Sequence, residues 1–139
     1  MIFFIPLTII PLLVYNVIAF GLMGEIPGET WIQTIFTVEM VSGARWTMTL
    51  GDIMICVGIA FLFCELWKAT KVGRYSALDH MFSTLVFVAY LVEFIVVRQA
   101  ADSVFFILMV ISFVDVVAGF LISLSSARRD VAFSGTSML

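Results

Sequence analysis

The sequence predicts an all-α membrane protein: a bundle of four transmembrane helices, with a short extracytoplasmic β-hairpin between the first and second. Composition is the first reason, because 63% of the 139 residues are hydrophobic and only 12% are charged. Soluble domains carry about 25% charged residues. The second reason is that four apolar segments of spanning length follow one another, separated by short polar breaks. We expect residues 1–139 to form one integral membrane domain.

Each span is predicted from a run of apolar residues close to the length of about 20 that crosses a bilayer. The first run has no Lys or Arg before it and exceeds the usual apolar region of a signal peptide, so we expect a retained helix. Within it, Pro11 lacks a backbone donor and is expected to kink or loosen the helix. The predicted spans are 2–23, 50–67, 78–97 and 103–125, with an extracytoplasmic segment 24–49 and a loose tail 131–139.

Orientation follows from the basic residues of the short connections, which accumulate on the cytoplasmic side. Arg45 and Arg98 lie on one side of the predicted membrane. The other five basic residues lie on the opposite side: Lys68, Lys71, Arg74, Arg128 and Arg129. This distribution predicts that both termini are cytoplasmic.

The segment 30–49 has two possible structures. Thr30 and Gln33 have the spacing of a capping box and Gly43 could end a helix, which indicates an interfacial helix. However, residues 35–41 and 45–49 are rich in β-branched and aromatic side chains, with Ser42 and Gly43 between them as a tight turn. We favour the β-hairpin.

One acid interrupts the most apolar run. Asp115 lies near the centre of span 103–125, where a carboxylate costs about 2.5–3.5 kcal/mol or more. Only Asn16 and Tyr90 are predicted at the same depth, and Ser112 precedes Asp115 by one helical turn. These four residues form the predicted intramembrane polar site. We expect Asp115 to be a protonated acid that hydrogen-bonds Asn16, Tyr90 or a serine hydroxyl as a packing contact, or else to serve transport or partner contact.

A second group of polar residues is predicted near the outer surface: Asp52, Glu93, Arg98 and Arg45. Asp52 stands at the start of its helix, where an acid caps free amides. Glu93 could pair with Arg98 or extend to the interface. On the inner side, Glu65 precedes Lys68 by three residues and is expected to form an ordinary interfacial ion pair.

Several functional classes are excluded by what the sequence lacks. One histidine cannot ligate haem on both faces, and no His, Cys or carboxylate cluster has zinc or di-iron spacing. Cys56 and Cys64 would lie about 12 Å apart on one helix, beyond disulfide reach. No nucleophile elbow or phosphate-binding loop occurs. We therefore expect no enzyme and no cofactor, and the net charge of −3 indicates no nucleic-acid partner.

Two functional hypotheses remain. The first is an accessory, assembly or interaction subunit, because small residues on the fourth span are typical of helix contacts and the connections are short. The second is a homo-oligomeric transporter or channel that uses Asp115 as a proton or cation site. Expected partners are the lipid bilayer and other membrane proteins or a second copy of the chain.

Six short motifs carry a resemblance: Ser-Gly-Ala-Arg-Trp at 42–46, Gly-Asp at 51–52, Leu-Trp-Lys-Ala-Thr at 66–70, Asp-His at 79–80, Leu-Val-Glu-Phe at 91–94 and Asp-Val-Val-Ala-Gly-Phe at 115–120. Together they resemble small four-span inner-membrane proteins of α-proteobacteria, over residues 36–130. The resemblance implies a location in the bacterial inner membrane and supports four spans. It implies no activity and no site residue.

Overall fold

The computed structural model describes residues 5–22, 28–71 and 76–136. In these ranges the chain forms four α-helices and one β-hairpin. The helices are α1 (Ile9–Leu22), α2 (Leu50–Lys71), α3 (Ser76–Val96) and α4 (Ser103–Thr136). Strands β1 (Thr34–Glu39) and β2 (Arg45–Thr49) form the hairpin, and 3₁₀ turns span Glu29–Ile32 and Arg98–Ala100. The predicted helical fold with a small hairpin is confirmed.

Helix α4 lies at the centre of the bundle and packs most extensively against α2 and α3, whereas α1 makes fewer contacts. Gly58 allows α2 to approach closely, because a Cβ atom there would lie 2.6 Å from Leu108 Cδ2. The core comprises Leu12, Tyr15, Ala19, Trp31, Met54, Val86, Tyr90, Ala100, Phe105, Leu108, Met109 and Ile111. Many large apolar side chains on the outer surfaces of the helices are exposed.

Three of the helices, α2, α3 and α4, are long and apolar enough to cross a membrane. Helix α1 is apolar but has only 14 residues. Compared with the predicted spans, α2 continues to Lys71 and α3 begins at Ser76. Residues 72–75, which include Arg74 of the charge count, lie outside the described residues.

The start of α1 corrects the predicted first span. The helix begins at Ile9 rather than at residue 2, after a turn in which Ile9 N donates to Pro6 O at 3.1 Å. Pro11 lies in the first helical turn, where a backbone donor would have no partner inside the helix. The expected kink at Pro11 is therefore wrong, because the proline falls at the helix start. Residues 2–4 and 23 of the predicted span lie outside the described residues.

The segment 30–49 forms the hairpin rather than an interfacial helix. Thr30 lies in the short 3₁₀ turn, and the chain then enters β1. Gly43 adopts a φ of 80°, a left-handed conformation that glycine accepts without strain, and its amide donates to Met40 O at 2.8 Å. Leu50 N, the first of α2, donates to Gln33 O at 2.9 Å and fixes the base of the hairpin to the helix. Residues 24–27 of the predicted segment lie outside the described residues.

The end of α4 corrects the predicted loose tail, and the helix runs past residue 125, where the predicted fourth span ends. The helix continues to Thr136, and the residues at 124–129 and 131–135 are exposed. No Gly or Pro occurs between Gly119 and Gly135, so the helix propagates one hydrogen bond at a time without a new nucleation cost. Its 34 residues extend about 50 Å, beyond the roughly 30 Å of a hydrocarbon core. Residues 137–139 lie outside the described residues.

Candidate functional site: a buried polar clasp

Charged and polar side chains from all four helical regions meet where α1 begins. Glu65 and Lys68 come from the last part of α2, Asp79 from the first turn of α3, Asp115 from α4 and Thr8 from the turn before α1. Glu65 is only 1% exposed and Asp115 only 3%. We call these five residues the polar clasp.

Lys68 is the centre of the clasp. Its Nζ atom lies 2.6 Å from Glu65 Oε1 and 3.0 Å from Asp79 Oδ1, and it donates to Ile5 O at 3.3 Å. An ammonium group has three protons, so these contacts use its donors fully. The expected ion pair between Glu65 and Lys68 is therefore present, with a buried carboxylate, and the second ion pair, between Lys68 and Asp79, joins α2 to α3.

The clasp fixes the entry of α1. Glu65 Oε2 accepts a hydrogen bond from Leu7 N at 2.8 Å, which satisfies an amide near the helix start. Thr8 Oγ1 donates to Asp115 Oδ2 at 3.2 Å, and Tyr90 OH donates to Thr8 O at 3.1 Å. A carboxylate near a helix N-terminus is also favoured by the helix dipole. These hydrogen bonds attach the turn before α1 to α2, α3 and α4.

A small cavity of about 20 Å³ lies among these side chains. This volume is close to the minimum that holds one water molecule. Among the described residues, no three His, Cys, Asp or Glu side chains are placed to hold a metal ion. Chemically, the arrangement can accommodate one water or exchange a proton among its carboxylates. The cavity is lined by Glu65, Ala69, Asp79, His80, Ser83, Asp115 and Gly119.

The predicted intramembrane site is only partly assembled. Tyr90 reaches Asp115 indirectly, through the Thr8 residue that both contact. Ser112 is fully buried one turn before Asp115, and its Oγ atom has no hydrogen-bond partner among the described residues. Asn16 lies elsewhere: its side-chain amide donates to Leu12 O at 3.0 Å and to the carboxylate of Glu93 at 3.1 Å.

The predicted outer-face residues do not form a cluster. Asp52 Oδ2 accepts from the backbone and the hydroxyl of Thr49 at 2.9 and 2.8 Å, so it caps α2 as its position predicts. Glu93 bonds to Asn16 instead of Arg98, which is exposed in a 3₁₀ turn. Arg45 stands opposite Glu39 in the hairpin. Within the described ranges, the only ion pairs are those of Lys68.

A second polar group lies at the other end of the bundle, near the base of the hairpin, and sequence reasoning missed it. The hydroxyl of Tyr15 donates to the carboxylate of Asp102, which itself caps α4 by accepting from Phe105 N at 3.0 Å. The ring of Tyr15 stacks on Trp31 at 4.7 Å and meets Phe105 edge-on at 4.7 Å. We call Tyr15, Asp102, Trp31 and Phe105 the tyrosine network.

Some of the missed contacts had a signal in the sequence. Glu65, Lys68 and Asp79 flank one short connection, and a short connection brings the ends of antiparallel helices together. Thr8 had no such signal, because its role depends on where α1 begins. Each carboxylate of the clasp has a hydrogen-bond or ion-pair donor from the same chain, so the geometry of the clasp does not identify a ligand.

No protein-family model matches this chain, and no curated protein and no solved structure matches it.

Proposed function

We propose that this chain is a four-span protein of the bacterial inner membrane with both termini in the cytoplasm, and that it acts as an accessory, assembly or interaction subunit. Three long apolar helices and the shorter α1 support the membrane placement. The asymmetric distribution of Lys and Arg supports the orientation. The resemblance to small inner-membrane proteins of α-proteobacteria supports the bacterial location. On this proposal the hairpin is extracytoplasmic and the end of α4 is cytoplasmic.

The single observation that carries an interaction role is the exposed end of α4. Val131 is 72% exposed and Phe133 is 79% exposed, on a helix that has left the bundle. Val131 also continues an exposed apolar stripe that includes Leu121 and Leu124 at helical spacing. Phe133, two residues after Val131, lies on the other side of the helix. A contiguous exposed apolar stripe such as that of Leu121, Leu124 and Val131 is typical of a contact surface. We propose that this extension binds another membrane protein or a second copy of the chain.

The polar clasp supports this choice over transport. Each of its carboxylates already contacts a donor from the same chain, and the enclosed cavity holds about one water. Apolar core residues separate the clasp from the tyrosine network along the helices, including Leu12 on α1, Val86 on α3 and Leu108 on α4.

Replacing the two exposed side chains tests the interaction role. We expect the double variant Val131→Ser, Phe133→Ser to lose its copurified partner or its self-association when solubilised from native membranes in mild detergent. Full burial of one such side chain contributes about 1.5–3 kcal/mol, so binding should weaken at least tenfold. Native mass measurement and photocrosslinking from position 131 provide the readout.

The matched control is Ala127→Ser on the same extension, which removes no large apolar side chain and should keep the partner. A chain that stays monomeric and uncrosslinked in native membranes would refute the interaction role. Equal partner loss in Ala127→Ser would instead show that the extension acts through its folding.

A second candidate function is proton or cation transport by a homo-oligomer, and the buried acids of the clasp are the observation that favours it. Glu65 and Asp115 lie beside the same water-sized cavity, and buried acids in membrane helices are costly to retain. If this function holds, Asp115→Asn abolishes ion flux in proteoliposomes while the unfolding temperature stays near that of the wild type. Flux unchanged in that variant would refute a transport role for Asp115.

A further inference from the structure

The β-hairpin has two chemically different faces. In its register Phe36 is opposite Met48 and Val38 is opposite Trp46, while Thr37 and Thr47 are paired between them. Residues directly opposite each other share a face, and the faces alternate along each strand. The apolar face therefore comprises Phe36, Val38, Trp46 and Met48. The polar face comprises Thr37, Glu39, Arg45 and Thr47.

Side-chain contacts agree with this division. The rings of Phe36 and Trp46 meet edge-on, with their centroids 5.7 Å apart. The hydroxyls of Thr37 and Thr47 lie 3.1 Å apart and share a hydrogen bond. An aromatic contact therefore joins the two strands on the apolar face, and a hydrogen bond joins them on the polar face.

Three of the four side chains of the apolar face are exposed in the described chain, and Met48, nearest to α2, is half-buried. Phe36, Val38 and Trp46 are between 42% and 47% exposed, and at the tip Met40 and Val41 are also exposed. A two-stranded hairpin is marginally stable in water unless its apolar face is buried. We therefore expect the apolar face of this hairpin to be buried against something other than its own strands.

The junction with α2 determines what that cover is. Strand β2 ends at Thr49 and α2 begins at Leu50, with no linker between them. The mutual hydrogen bonds of Thr49 and Asp52, together with the bond from Leu50 N to Gln33 O, tie the hairpin to the helix start. If α2 spans the bilayer, its first residues lie at the membrane boundary, and the hairpin is tethered there. Tryptophan and other amphipathic aromatic residues prefer this layer.

We propose that the apolar face of the hairpin docks on the lipid–water interface of the bilayer that α2 crosses, with the tip residues Met40 and Val41 in the same layer. The polar face then points to water. Glu39 and Arg45 oppose each other on that face and cancel in charge, so docking requires no anionic headgroup. The apolar face then lies at the boundary between the acyl chains and the glycerol groups of the lipids. This inference depends on the membrane placement proposed above, but not on the partner of α4.

Spin labels on neighbouring residues test the docking. The native cysteines, Cys56 and Cys64, are free and exposed, and are replaced by serine. Val38→Cys on the apolar face and Thr37→Cys on the polar face are labelled in the full chain, one copy per nanodisc of phosphatidylcholine. Collision with oxygen, which concentrates in lipid, is compared with collision with a water-soluble nickel chelate. We expect collisions with oxygen to dominate at 38 and collisions with nickel to dominate at 37. The logarithm of the ratio of oxygen to nickel collision rates should therefore change sign between these adjacent residues.

A label at Val117→Cys, on an exposed position of α4, is the control for membrane placement. Oxygen must dominate there if the chain spans the bilayer. Nickel dominating at both 37 and 38, with oxygen dominating at 117, would overturn the docking alone. Nickel dominating at 117 as well would overturn the membrane placement. A label at 38 that meets neither reagent would show a protein cover and would also overturn the docking.

Discussion

The two ends of the bundle fix the same short helix by different chemistry. The clasp attaches the start of α1 through a largely buried lysine shared by two carboxylates and through the Thr8 hydroxyl. The tyrosine network attaches the later part of α1 through one hydroxyl and a stack of aromatic rings. Since α1 packs less extensively than the other helices, polar anchors at both ends compensate for limited apolar contact.

The two ends differ in the kind of group that a single substitution leaves without its partner. Removing one member of a buried ion pair leaves an uncompensated charge, which costs about 3–5 kcal/mol. Removing a hydroxyl while keeping its ring leaves an unsatisfied acceptor, which costs about 1–3 kcal/mol. The comparison therefore predicts that the clasp end is the more sensitive of the two.

The largest effect is expected for Lys68→Met, which keeps the apolar stem and removes the charge shared by Glu65 and Asp79. We expect a loss of about 3–5 kcal/mol in the free energy of unfolding. Denaturant titration of the purified protein in mild detergent measures it. The control is Lys71→Met, because Lys71 is exposed and lies 4.8 Å from the ring of Trp67. That variant should lose less than about 1 kcal/mol, and equal losses would show that the clasp has no special role.

A smaller effect is expected for Tyr15→Phe at the opposite end. The ring can keep its stacking on Trp31, while the carboxylate of Asp102 and Gln99 O lose the single hydroxyl proton that they share. Hydrogen bonds to charged groups contribute about 1.5–3 kcal/mol, and we expect a loss in that range. The same titration measures it. A loss as large as that of Lys68→Met would remove the contrast between the two ends.

The sequence predicted those features that depend on local pattern. Apolar runs and β-branched segments located the helices and the hairpin, and Asp52 was predicted correctly as a cap. The tail 131–139 was wrongly predicted to be loose from its short length and mixed polarity, whereas the helix continues through it to Thr136.

The sequence predicted the site less well, because a side chain's partner depends on how each helix is rotated and where it starts. Asp115 stood out by residue type alone, but Thr8 became its partner only because α1 begins just after it. Asn16 was placed beside Asp115 by depth, whereas it lies two turns along α1 from Thr8 and donates to Glu93. The position of a residue along a span predicts how deep it lies in the membrane, but it does not predict which side chain it contacts.

The smallest effect is expected for Tyr90→Phe, which removes one hydroxyl from a buried ring, the same chemical change as in Tyr15→Phe. Tyr90 is buried and its hydroxyl donates to a neutral acceptor, Thr8 O, while its ring contacts Phe105 at 5.4 Å. A hydrogen bond between neutral groups contributes about 0.5–1.5 kcal/mol, so we expect this loss to be roughly half that of Tyr15→Phe. Titration of both variants in one detergent gives the ratio. If Tyr90→Phe costs more, the Thr8 carbonyl matters to the clasp beyond a single bond, and charge on the acceptor does not explain the ranking of the two hydroxyls.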